Sequence, residues 1–228
     1  MSTMTSASEV LSNNPGRPWS SGATAVEILL VYAGILLYIW RWQSTHPRAW
    51  MALLAAVLLS HLAHRDTPRA LGLTFSSMRA SAQVVFPLAV SIYLPPIIYG
   101  LARHRLLFTW PEKQAVISFL GYGVWCAFQQ YLAQSYFHRR LRNIIPSPHL
   151  SSALVGLMFG AAHIPNPILM VVTALGGFLL AEVYARHRNI WPLALAQAVG
   201  GFLLAALLPD PLLHHMRVGP GYFFYQLR

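Results

Sequence analysis

Long apolar runs separated by short polar punctuation make up most of this chain. The first covers 22–40 (GATAVEILLVYAGILLYIW) and the second 49–64 (AWMALLAAVLLSHLAH). A hydrocarbon core of about 30 Å takes about 20 helical residues, so the second run needs flanking residues or thinned lipid to cross. A third run, 80–101, holds Pro87, Pro95 and Pro96 and is expected to kink or break near its end. The fourth is 114–137. The stretch 150–185 is too long for one upright span, and His163-Ile164-Pro165-Asn166-Pro167 interrupts it, so two helices are expected to meet there. The last run, 190–208, stops at Pro209-Asp210-Pro211. The pattern predicts an all-α fold, a multi-pass transmembrane helical bundle of about seven spans. Residues 1–21, rich in Ser, Thr, Asn and Pro, read as a disordered N-terminal tail; 22–208 is the membrane domain and 209–228 a C-terminal tail. No internal repeat is visible.

Composition sharpens this picture. Only 10% of the 228 residues are charged and 56% are hydrophobic, with mean hydropathy +0.49; an ordinary soluble domain is about 25% charged. The single cysteine, Cys126, excludes an internal disulfide, and no Cys/His finger spacing exists. A net charge of +10 suggests nucleic acid at first sight. That reading is rejected, because the arginines fall in short groups between apolar runs (41 and 48; 65, 69 and 79; 139, 140 and 142), as loop charge at an anionic leaflet does. The partner implied is the lipid bilayer, with no nucleic acid. Alternating loops carry 9 basic residues on the N-terminal side against 7 on the other, a small excess favouring a cytoplasmic N-terminus.

Polar side chains at membrane depth are costly and mark candidate sites. The fourth run carries Gln129, Gln130 and Gln134, then His138 and Arg142; positions 130, 134, 138 and 142 share one helical stripe. Phe159 and His163 lie four apart, with the small residues Gly160, Ala161 and Ala162 between them. Gln197 interrupts the last run, followed by Gly200-Gly201. Taken alone, His163 reads as a hydrogen-bonded interior residue, and Gln197 with the glycines as interhelical packing.

Taken in order, the three groups resemble the CPBP family of membrane proteins, which includes the CAAX prenyl proteases. The resemblance covers about 110–208. The family pattern is Glu-Glu-x-x-x-Arg on one helix, then Phe-x-x-x-His, then His with Asn or Asp three or four residues on. Phe159 and His163 match the second motif, and about 34 residues separate it from each of the others. The departures fall on catalytic positions: Gln129 and Gln130 stand for the two glutamates, Gln134 for the arginine, Gln197 for the second histidine and Gly201 for the asparagine. The resemblance implies that the first glutamate and a histidine activate water while the second histidine and the asparagine hold the oxyanion.

The residue chemistry bears directly on this. An amide does not accept a proton from water at neutral pH, and general-base catalysis is typically worth about 10²- to 10⁴-fold. Gln197 keeps an N–H for an oxyanion hole; Gly201 offers no side chain. From Lys113 to Ala181 there is no Asp or Glu. Glu182 is expected to pair with Arg186, four residues on, and Glu27 to snorkel or cap. One deep histidine is short of the three ligands of a catalytic zinc, so no metal and no cofactor are expected. The candidate catalytic residues are His163, Gln129, Gln130 and Gln197, lining one cavity between the fourth, fifth and seventh runs. Three functions compete: an endopeptidase-like protein with glutamines for glutamates, acting on a membrane-anchored peptide or protein; a non-catalytic binder of a lipid, peptide tail or partner; and a small transporter. The location implied is a bacterial inner membrane.

Overall fold

The structure is a computed structural model describing residues 19–103 and 112–224. Most of the expected N-terminal tail, 1–18, lies outside the described residues. Every secondary-structure element among those described is helical. Helix α1 runs over Ser21–Thr45, its residues Tyr38–Trp42 wound as a π-helix. Next come α2 (Trp50–Ala63) and α3 (Met78–Ala102). The rod 112–144, named α4, is α-helical over Glu112–Gln130, π-helical over Tyr131–His138 and α-helical again over Arg139–Ile144. It is followed by α5 (Pro148–Ala161), α6 (Pro167–Arg186) and α7 (Trp191–Leu207), and short turns complete the chain.

Local chemistry explains the starts. Ser20, Ser147 and Asn166 cap α1, α5 and α6, each side-chain oxygen accepting the N–H of the residue three on (Ala23, Leu150 and Leu169) at 3.2–3.3 Å. Proline sits in the first turn of α5, α6 and α7, where its missing N–H costs nothing. Each apolar run thus becomes one helix, and 150–185 is two, as its proline pair predicts. The third run is not broken: helix α3 continues through Pro87, Pro95 and Pro96, as a lipid-exposed segment must keep its backbone hydrogen bonds within the helix.

Three of these helices, α1, α3 and α6, are long and apolar enough to cross a membrane, while α2 and α7 are apolar but shorter. Their outward faces agree: Leu29, Leu30, Val90, Ile98, Val171 and Leu175 are all exposed, as suits side chains whose solvent is hydrocarbon.

Helices α5 and α6 approach most closely, through glycine. A Cβ on Gly156 would stand 2.5 Å from Ala174 O, and one on Gly160 would stand 2.8 Å from both Met170 O and the Ala174 Cβ. Small residues four apart let two backbones meet without side chains between them. The turn after α5 holds His163, and the segment beyond α7 folds back on it: Asn166 Nδ2 donates to Leu213 O (2.8 Å), and the Gly219 N–H donates to Ile164 O (2.9 Å).

Candidate functional site

The three polar groups of the sequence converge. Gln134 Nε2 donates to Gln130 Oε1 (3.2 Å), Gln130 Nε2 to Gln197 Oε1 (2.6 Å) and Gln197 Nε2 to Gln129 Oε1 (2.6 Å). A single chain of amides therefore zips α4 to α7. Every amide has both a donor and an acceptor, so such a chain reverses polarity as a unit and still ends on the Gln129 amide.

Gln129, Gln197 and His163 line a cavity of about 920 Å³ walled mainly by α3, α6, α7 and the segment 208–224, with smaller contributions from α1 and α4. Gln130 is fully buried behind it and holds Gln197 in place. Helix α5 contributes little more than Phe159, and α3, absent from the expected walls, contributes much. His163 Nδ1–H donates to Phe159 O (2.7 Å), one helical turn back, and Thr173 Oγ1 lies 3.2 Å from the same nitrogen. In the neutral ring this leaves the lone pair on Nε2. The Phe159 ring meets the imidazole edge to face at 5.1 Å.

The glycine pair of α7 has a partner that sequence reasoning missed. A Cβ on Gly200 would stand 2.5 Å from the Tyr93 hydroxyl, and one on Gly201 would collide with the Tyr122 hydroxyl. Two tyrosines, from α3 and α4, thus fill the space that side chains at 200 and 201 would need. Tyr93 donates to Ala196 O at 3.0 Å. The signal lay in the Gly200-Gly201 pair itself, but a glycine does not announce what fills its gap.

Among the described residues no Asp or Glu lines this cavity. The two carboxylates considered as substitutes are engaged elsewhere. Glu182 pairs with Arg186 Nη2 (3.2 Å), as expected, and with His149 Nδ1 (3.0 Å). Glu27 neither snorkels nor caps. It accepts from Tyr136 Oη (2.9 Å) and Arg140 Nε (3.3 Å), pairs with His64 Nε2 (3.0 Å) and takes the Ser60 hydroxyl in a short hydrogen bond. Arg140, read from the sequence as loop charge, is fully buried and bridges to Asp66 at 2.8 Å. Asp66 also binds His61 Nδ1 (2.8 Å) and Arg139 Nε (2.6 Å). Its position after an apolar run that ends in two histidines was the available signal. Burial alone would raise the Asp66 carboxyl, but the His61 hydrogen bond and the Arg139 and Arg140 guanidiniums hold it well below the usual carboxylate range.

Among the described residues no group of three or more His, Cys, Asp or Glu side chains stands ready to hold a metal ion.

Apolar helices long enough for a bilayer, enclosing a polar-lined cavity, define a helical membrane protein. Residues 111–203, less than half of the chain, match the family model described as type II CAAX prenyl endopeptidase Rce1-like. Phe159, His163, Gln129, Gln130 and Gln197 all lie within the matched segment. No curated protein and no solved structure matches the chain.

Proposed function

We propose that this is a multi-pass CPBP-type membrane protein whose cavity binds an apolar chain of membrane origin without glutamate-activated hydrolysis. The observation that carries this reading is a cavity of about 920 Å³ lined by Gln129, Gln197 and His163 and, among the described residues, by no carboxylate. That volume falls within the range of about 300–1,000 Å³ usual for ligand sites. Amides offer hydrogen bonds to a neutral or anionic head while costing less in lipid than carboxylates. Gln129, Gln197 and His163 act as the polar contacts, and Gln130 holds them from behind. The membrane domain is 22–208, and the bacterial inner membrane is the proposed location.

The test is mass spectrometry of what the detergent-solubilised protein retains. A lipid or lipid-tailed peptide at near-stoichiometric amount is expected, diminished in Gln197→Leu; an empty wild-type protein overturns the reading.

A second reading, cleavage with His163 as sole base, is favoured by one observation: Phe159 O holds Nδ1–H and leaves Nε2 as acceptor. Its test is cleavage of membrane-anchored peptides by wild type, His163→Ala and Gln129→Glu/Gln197→His. Equal background from wild type and His163→Ala is expected. Cleavage lost in His163→Ala establishes the enzyme instead.

A further inference from the structure

A second cavity, of about 720 Å³, lies on the other side of Gln129, walled by α1, α2, α4 and α5. It is strongly apolar, with Tyr32, Leu54, Val57, Leu132 and Val155 among its lining side chains. The two cavities share Ile39, Gln43, Trp125, Gln129, Phe159, His163 and Val218. The polar residues common to both, Gln43, Gln129 and His163, therefore sit at a junction from which one apolar arm runs towards α3, α6 and α7 and the other towards α1, α2 and α5. Each arm alone is as large as an ordinary ligand site. Among the described residues, Arg217 is the one charged residue lining the first cavity, and neither cavity is lined by an acid.

This shape selects among apolar ligands. A single hydrocarbon tail fills one arm and leaves the other open, whereas two chains on one polar head fill both and place the head at the junction. The Arg217 cation and the neutral donors favour a negative head. We infer that the occupant is a two-chain anionic phospholipid, with one acyl chain in each cavity and its phosphate within reach of Gln43 and Arg217. The inference rests on the reading of the first cavity as a binding site and adds the occupant's class.

Two glycines make the test clean. Gly176 lines the first cavity and Gly121 the second, and a Cβ built on either has no atom within 4 Å. Leucine at each fills one arm while the helix gains a better former. The full chain, delipidated in detergent, is titrated with dioleoyl phosphatidylglycerol, dioleoyl phosphatidylcholine and lyso-oleoyl phosphatidylglycerol, and bound lipid is counted by native mass spectrometry. Wild type is expected to hold one phosphatidylglycerol at least tenfold more tightly than the lyso form and severalfold more tightly than phosphatidylcholine. Gly121→Leu and Gly176→Leu are each expected to lose that preference for two chains, and Arg217→Gln the preference for the anion. If only one leucine variant weakens binding, the two-chain occupant is overturned while the cavity's binding role stands. If lyso and diacyl lipids bind equally, or phosphatidylcholine matches phosphatidylglycerol, the inference fails in wild type whatever the variants do. If wild type retains no apolar chain of any kind, the inference and the proposed function fail together.

Discussion

Helix α4 carries two buried polar systems of opposite character. Around Arg140 lies an ionic cluster that ties α4 to α1, through Glu27, and to the end of α2, through Ser60, His61 and Asp66. One to three turns earlier lies the neutral amide chain that ties α4 to α7. The π-helical stretch Tyr131–His138 stands between them and aims its side chains in divergent directions. Gln134 goes to the amide chain, Ser135 donates to Leu71 O (2.6 Å), Tyr136 reaches Glu27, and His138 faces Ser152 at 3.4 Å. A π-turn holds more residues than an α-turn and so changes which side chains share a face, and such turns concentrate at functional sites. The two systems show where charge is tolerated. In the ionic cluster each carboxylate meets several donors, so it serves as a clamp, with Arg140 Nη1 and His61 Nε2 left unpaired among the described residues. The amide chain ends at an open cavity, where an unpaired charge would face apolar side chains.

The sharpest way to break this contrast is to delete the clamp's cation. Arg140→Ala leaves Glu27 and Asp66 without their shared guanidinium, and removing one partner of a buried ion pair costs about 3–5 kcal/mol. The expected outcome is a large fall in thermal stability in detergent, read by size-exclusion monodispersity after heating. Adding Glu27→Gln and Asp66→Asn to Arg140→Met recovers most of the loss. Full stability of Arg140→Ala alone would mean the cluster clamps nothing.

The amide chain comes next. Gln130→Leu strands the Gln134 donor and the Gln197 acceptor, at a cost of about 1–3 kcal/mol for buried groups left unsatisfied. The same scan should show a moderate loss, together with weaker ligand retention. Loss of stability with unchanged retention would detach the chain from the cavity.

Acid separates the two systems more gently. The Asp66 carboxyl is depressed in the folded protein, so its contribution is fully present above the unfolded carboxylate value of about 4 and fades as pH falls from there towards the folded value. Thermal stability is expected to drop on acidification below about pH 4, and Asp66→Asn to flatten that slope. The neutral amides should add no slope of their own.

The smallest effect belongs to the rim. Glu182→Gln breaks contacts to Arg186 and His149, both exposed partners, and such surface pairs are worth about 0–1 kcal/mol. A shift as large as that of Arg140→Ala would show that this end of α6 is buried in the working protein.

Much was legible in the chain itself. Apolar run lengths, capping residues and prolines placed each helix, because a segment's cost of leaving its backbone unpaired in lipid is a local property. The grouping of Gln129, Gln197 and His163 at one cavity was anticipated from the family resemblance rather than from the residues alone, and Gln130, expected in the lining, lies behind it. Three things were not legible. Arg140 looks the same in sequence whether it meets lipid headgroups or Glu27, since its partners lie 74 and 113 residues away. Gly200 and Gly201 state that space is needed, but Tyr93 and Tyr122 take it only once α3 and α4 pack on α7. The second cavity is bounded by side chains from four helices, most of which belong to no motif. Local sequence governs where a helix begins, ends and turns its polar face, because those are matters of neighbouring backbone and rotamers. Which charge meets which, and where space remains, was decided by tertiary packing, because both depend on distances between segments that the chain order does not encode.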